Sequence, residues 1–188
     1  HWQKDWAGGK WSRFRIDEKA RIAGLAAKDG ELYVSDAAAN AINVYRLDAF
    51  PKPGSDLPNP AQPVRSFPLD RPGHLAFDDA GMLWTIQTCV KGEDKKRDDG
   101  RKAGTWRDYH NLEEWGRIVT PGRVVCCDPR DGRVTATIDD LVEPMDLAYS
   151  TKDKMLLVAE RGRDHQIRIY SDLDAKPKLA RTFGAKGG

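Results

Sequence analysis

One short pattern occurs three times in this chain: a Leu-Ala step, a polar turn, a β-rich run closed by a polar residue, then a second β-rich run. The copies run from Gly24-Leu25-Ala26 to Leu32-Tyr33-Val34-Ser35-Asp36, from His74-Leu75-Ala76 to Leu83-Trp84-Thr85-Ile86-Gln87, and from Asp146-Leu147-Ala148 to Leu156-Leu157-Val158-Ala159-Glu160. Repetition at tens of residues constrains a fold more tightly than composition does, because each unit must bury its apolar face against the next. Leu25 and Leu75 stand 50 residues apart, whereas Leu75 and Leu147 stand 72 apart. The middle copy therefore holds an insertion, and the β pattern stops after Thr88 and resumes near Arg117.

Each copy supplies four strand candidates: 22–27, 31–36, 41–46 and 63–68; 73–78, 82–88, 117–127 and 133–138; 145–149, 155–160, 166–170 and 178–183. Lys28-Asp29-Gly30, Asp78-Asp79-Ala80-Gly81, Asp131-Gly132 and Thr151-Lys152-Asp153 separate them with the residues that tight antiparallel hairpins need. Gln166-Ile167-Arg168-Ile169-Tyr170 and Asn43-Val44-Tyr45-Arg46 alternate, as strands with a buried face do. The expected fold is all-β: a partial β-propeller of about three four-stranded antiparallel blades, with a long insert in the middle blade. The small residues of the Leu-Ala strands suit the crowded innermost position. As one domain over 1–188, the chain divides into the end of a preceding blade (1–20), a blade (21–70), a blade with an insert at 89–116 (71–140) and a third blade (141–188). Lys10–Asp17 alternates like an outer strand. Pro-rich 50–63 and charged, Gly-containing 90–105 read as loops, and 106–116 has the spacing of a short amphipathic helix.

Three blades do not close a ring, and an unclosed stack leaves a sheet face bare at each end. The remaining blades of a parent chain, or self-association with another copy, are the partners this implies. The 31 basic and 29 acidic side chains leave a net charge of +2, which provides no steering field for nucleic acid. No apolar run approaches the roughly 20 residues of a membrane span. A start at His1 fits a processed leader as well as an excised piece, and an extracytoplasmic location is expected. Cys89, Cys126 and Cys127 make an odd count without zinc spacing. As neighbours in a strand, Cys126 and Cys127 should point to opposite faces and stay free, partly buried thiols.

Arg21-Ile22-Ala23-Gly24-Leu25-Ala26 through Asp36, followed by Asn40 and Ile42-Asn43-Val44-Tyr45, resembles an NHL-type repeat. The third copy, with Gln166-Ile167-Arg168-Ile169-Tyr170 and its glycine-rich tail, is similar, so the resemblance covers about 21–188 apart from the insert. It implies a propeller, usually six-bladed, of a kind that binds proteins, RNA or carbohydrates. The related gluconolactonase and senescence-marker lactonases use that architecture for metal-dependent lactone hydrolysis. Those enzymes carry a metal-binding Asn two residues before the inner-strand leucine. Ala23, Gly73 and Met145 occupy that position here, and none can replace it.

Candidate functional residues follow from repeat equivalence. Asp36, Gln87 and Glu160 close the second strand of each copy, and His74 and Asp146 precede the Leu-Ala step, where the first copy has Gly24. Brought together at a channel mouth, these carboxylates and the imidazole suit a divalent cation or an acid–base pair. The bland alternatives are an Asx turn closed by Asp36 with Asn40, and surface pairing of Glu160 with Arg161 and Arg163. Trp106, Tyr109 and Trp115 of the insert are of the type that stacks on sugars or anchors a partner, or covers an edge of the fold. Lys95, Lys96, Arg97, Arg101 and Lys102 interleave with Asp94, Asp98 and Asp99, so a solvated loop is expected there and not a nucleic-acid contact. No nucleophile elbow, phosphate-binding loop or His-Glu-x-x-His pattern is present. The sequence thus points to a non-catalytic segment that serves as a binding or protein-interaction module of a larger protein, with no cofactor. A metal-dependent hydrolase or lactonase of the six-bladed type and a carbohydrate-binding propeller are the alternatives.

Overall fold

A computed structural model describes residues 19–49, 62–87, 122–139, 141, 143–161, 165–174 and 176–185. The first sheet holds β1 (Ile22–Lys28), β2 (Glu31–Asp36), β3 (Ala41–Arg46) and β4 (Arg65–Pro68). The second holds β5 (Pro72–Phe77), β6 (Leu83–Gln87), β7 (Arg123–Cys127) and β8 (Val134–Ile138). The third holds β9 (Pro144–Ser150), β10 (Met155–Glu160), β11 (Ile167–Ser171) and β12 (Lys178–Phe183). Each sheet is antiparallel with its strands in chain order. The expected all-β architecture of three four-stranded sheets is the one observed. The expected outer strand at 10–17, the helix at 106–116 and most of both loop stretches lie outside the described residues, as does 117–121 of the strand that was expected to begin at 117.

Local chemistry accounts for the hairpins. Asp29 and Gly30 take positive φ (50° and 78°) between β1 and β2, the left-handed geometry that a two-residue turn between twisted strands requires. Asp78 closes the β5–β6 turn by accepting the Met82 amide at 2.9 Å, and its other oxygen accepts the buried Trp84 indole N–H at 2.8 Å.

The sheets stack through two apolar cores. Tyr33, Ile42, Val44 and Phe67 of the first sheet meet Leu75, Leu83, Val125 and Cys127 of the second. Trp84, Ile86, Val124, Cys126 and Ile138, on the opposite face of the second sheet, meet Leu147, Leu156, Val158 and Tyr170 of the third. The second sheet is thus clad on both sides, and every residue of β6 is buried. Burial of each large side chain contributes about 1.5–3 kcal/mol, so this sheet is the anchor of the stack. Neighbouring Cys126 and Cys127 enter different cores because successive strand residues point to opposite faces. Both thiols are free.

The Leu-Ala strands β1, β5 and β9 form one edge of each sheet, and β5 lies alongside both of the others. Their small residues are required by the closeness of that approach. A Cβ on Gly24 would lie 2.7 Å from the His74 Cα and closer still to the Gly73 carbonyl oxygen, and on the other side of the second sheet one on Gly122, just ahead of β7, would press into the Pro144 ring at the start of β9. Buried Ser35 reinforces the first junction by donating from Oγ to the Gly73 carbonyl at 2.7 Å.

Candidate functional site

Antiparallel pairing brings the start of each Leu-Ala strand beside the close of the next strand: Ile22 with Asp36, Pro72 with Gln87, and Pro144 with Glu160. All five candidates outside the insert therefore gather at one end of the sheets. The connection carrying the insertion leaves from Gln87 and returns at Arg123, a paired couple at this same end. Trp106, Tyr109 and Trp115 lie outside the described residues.

Asp36, Gln87 and Glu160 are buried and share one architectural task. Asp36 Oδ1 accepts the Arg21 amide at 3.0 Å, just ahead of β1, and the Ala38 and Ala39 amides at 3.0 and 3.1 Å. Gln87 donates from Nε2 to the Asp70 carbonyl at 2.7 Å, just ahead of β5, while its Oε1 accepts from Arg123 Nε. Glu160 Oε1 accepts the Glu143 amide at 3.2 Å, just ahead of β9. In every sheet the polar end of the second strand fastens the segment that enters the first, so three different side chains serve as one clasp. The Asx turn at Asp36 is present, whereas Asn40 uses its Oδ1 to accept the Arg71 amide at 2.9 Å. Glu160 is buried and not at the surface. Its Oε2 lies 2.6 Å from Arg168 Nε, and Arg161 pairs with Glu143. Arg168 comes from β11, the strand beside Glu160's own, and reaches the carboxylate across the sheet; Arg161 has already turned out of the ladder. Arg163 lies outside the described residues.

His74 and Asp146 stand apart from the clasps because both are exposed. His74 Nδ1 lies 2.8 Å from Asp146 Oδ1, so an imidazole of the second sheet meets a carboxylate of the third. The same oxygen accepts the Leu147 amide at 2.8 Å, which holds the carboxylate against the strand. Register shifts interrupt the ladder between Pro72 and Leu75 in β5, and opposite Pro144 and Asp146 in β9. Such bulges re-aim side chains and recur beside functional sites. With Nδ1–H donating to the carboxylate, Nε2 keeps its lone pair for a ligand, and a protonated ring would instead form an ion pair. The corresponding position in the first sheet is Gly24, where the close backbone of β5 excludes any side chain.

Among the described residues, no group of three or more His, Cys, Asp or Glu side chains is arranged to hold a metal ion. The lactonase-type metal does not fit the side chains at its expected position either, since Ala23, Gly73 and Met145 offer no oxygen or nitrogen donor. At the opposite end of the sheets, a shallow groove is lined by Asp29, Gly30, Glu31, Arg46, Leu47 and Asp48. Its charges are spent locally. Arg65 grips Glu31 with two 2.7 Å bonds, which holds that carboxyl below its usual range, and Arg46 pairs with Asp48. Burial, followed by the bond to Glu31, pushes the Tyr33 hydroxyl up to about 12.

No protein-family model matches the sequence, and no curated protein matches it significantly. Solved structures do. Hydrazine synthase of Kuenenia stuttgartiensis superposes on 92% of this chain and 39% of its own, at 10% identity and a TM-score of 0.57. A 6-phosphogluconolactonase-like protein of Bacteroides fragilis superposes on 93% of this chain and 42% of its own, at 11% identity and a TM-score of 0.54. Virginiamycin B lyase of Staphylococcus aureus is a weaker likeness, with 13% identity and a TM-score of 0.48 over 91% of this chain and 44% of its own. The neighbours are propeller-type proteins, and the likeness identifies the fold as a portion of a propeller. This chain spans about two fifths of the length of the proteins it matches.

Proposed function

We infer that the chain is an NHL-like propeller segment that serves as a binding module, and that its ligand is read at the end where the Leu-Ala strands begin. The observation that carries this reading is the exposed His74–Asp146 pair, which bridges two sheets while the equivalent polar side chains around it are buried in clasps. An imidazole held by a carboxylate offers one oriented nitrogen, suited to a hydroxyl, an amide or a carboxylate of a protein or carbohydrate partner. Catalysis as a metal-dependent lactonase is the weaker reading, because the ligand position two residues before each leucine is filled by Ala23, Gly73 and Met145. The test is to probe immobilised peptide and glycan arrays with the wild-type chain and with His74→Ala and Asp146→Ala. At least one class of ligand should lose tenfold or more in binding to each variant, with the unfolding midpoint unchanged. Binding indifferent to both substitutions, or lactone hydrolysis that requires a divalent ion and disappears with His74→Ala, would overturn the assignment.

A further inference from the structure

His74 and Asp146 reach their places by different means. Asp146 is held locally, since its Oδ1 accepts the amide of the next residue, Leu147, at 2.8 Å. His74 projects from a bulge in β5, where Pro72 pairs with Gln87 and Leu75 with Thr85, so that Gly73 and His74 together face Ile86. A bulge interrupts the ladder and sets the aim of the side chain it carries, and a glycine within it adds backbone freedom that the surroundings must remove. One wall is Ile86 of the same sheet, whose carbonyl oxygen would lie 3.1 Å from a Cβ on Gly73. The other wall comes from the first sheet. Ser35, fully buried in β2, donates from Oγ to the Gly73 carbonyl at 2.7 Å, the usual length of a good hydroxyl bond. Beside it, Gly24 lets the backbone of β1 close on the same Gly73–His74 peptide.

Repeat equivalence marks Ser35 as a departure. Ser35 pairs with Gly24 and Ala159 with Asp146, and in the second sheet the same position is Ile86, opposite Gly73 and His74. Neither isoleucine nor alanine has a hydroxyl to donate, so of the two junctions only the one whose bulge carries the imidazole has this bond. We propose that Ser35 is a positioning residue for the His74–Asp146 pair: it pins the Gly73–His74 peptide and so aims His74 across to the third sheet. The inference rests on reading that pair as the ligand site. It makes the site a product of three sheets, although its polar side chains come from two.

The tautomer of His74 tests this without any ligand. It is read from long-range proton–nitrogen correlation spectra of the isotope-labelled full chain, in which the His74 signals are those absent from His74→Ala. On the neutral ring, wild type should show the Nδ1–H form alone, as the contact with Asp146 requires. Ser35→Ala should show a mixture of both tautomers, and Ser35→Thr, which keeps the hydroxyl, should return the single form. Ser35→Cys, close to serine in size but a weak donor, should behave like Ser35→Ala and serves in its place if the alanine variant does not fold. A serine that only stabilised the junction would, when replaced, lower the unfolding midpoint and leave the tautomer alone. A folded Ser35→Ala or Ser35→Cys chain that keeps the single Nδ1–H form therefore overturns the proposal. So does a mixture in wild type, or one that persists in a Ser35→Thr chain unfolding at the wild-type temperature. Loss of the single tautomer in Ser35→Ala, together with array binding indifferent to His74→Ala, would refute the ligand site and uphold the positioning role, so the two failures are separate.

Discussion

At the scale of single residues, the pair of buried Glu160 and half-buried Arg168 bears on stability. Glu160 is held from one side by the Glu143 amide and from the other by Arg168 Nε. Removing the guanidinium takes a cationic partner from a carboxylate held out of water, a loss that costs about 3–5 kcal/mol when a buried pair is broken. Arg168→Met should therefore lower the stability of the chain by about 3 kcal/mol in urea unfolding. The double variant Arg168→Met/Glu160→Gln should regain a large part of it, because the amide oxygen can still accept from Glu143 without a charge to strand. A double variant no more stable than Arg168→Met alone would show that packing of the arginine stem, and not the charge, is what matters. Sequence adjacency pointed to Arg161 and Arg163 as partners. Pairing across the ladder, between β10 and β11, puts Arg168 within reach as a partner that adjacency does not show.

At the scale of the strand, β7 shows how period-two geometry divides chemistry between two cores. Cys126 joins Trp84 and Leu156 on one face, and Cys127 joins Tyr33 and Phe67 on the other. Burial pushes the first thiol up to about 11 and the second to about 12, from an ordinary value near 9. Folded protein thus retains protons that the unfolded chain releases. The stability associated with both thiols is complete below about pH 9 and is lost as pH rises through 11 and 12. In a Cys89→Ser background, neither thiol should react with a disulfide reagent at pH 8 in native buffer, and both should react in denaturant. Titration of either one under native conditions at pH 8 would contradict its burial. The opposed orientation of the two cysteines was legible from their adjacency alone. So were the strands, because alternation and Asp-Gly turns are local signals that tertiary packing had no reason to override. The clasps were only half legible: repeat alignment placed Asp36, Gln87 and Glu160 at one position, but their backbone partners at Arg21, Asp70 and Glu143 are set by how each sheet is entered.

At the scale of the whole molecule, stability should follow the order of enclosure. The second sheet has a core on each face, whereas β12 has all six residues exposed. Amide hydrogen exchange should be slowest in β6 and β7 and fastest in β12, since local opening is cheapest where few apolar contacts are lost. Uniform protection across β6 and β12 would mean that the sheets unfold as one unit.

The repeated Leu-Ala unit by itself determined the three sheets, their strand order and the presence of a long insertion, because hydrophobic alternation and turn chemistry act within a few residues. Alignment of the copies also placed His74 and Asp146 at one repeat position and Asp36, Gln87 and Glu160 at another. Only the tertiary structure decided that these two touch, that the three clasping side chains are buried, and that Gly24 can be nothing larger. Those outcomes depend on the approach of β1, β5 and β9 at a distance of one backbone from the next, and such long-range spacing is written in no short stretch of the chain.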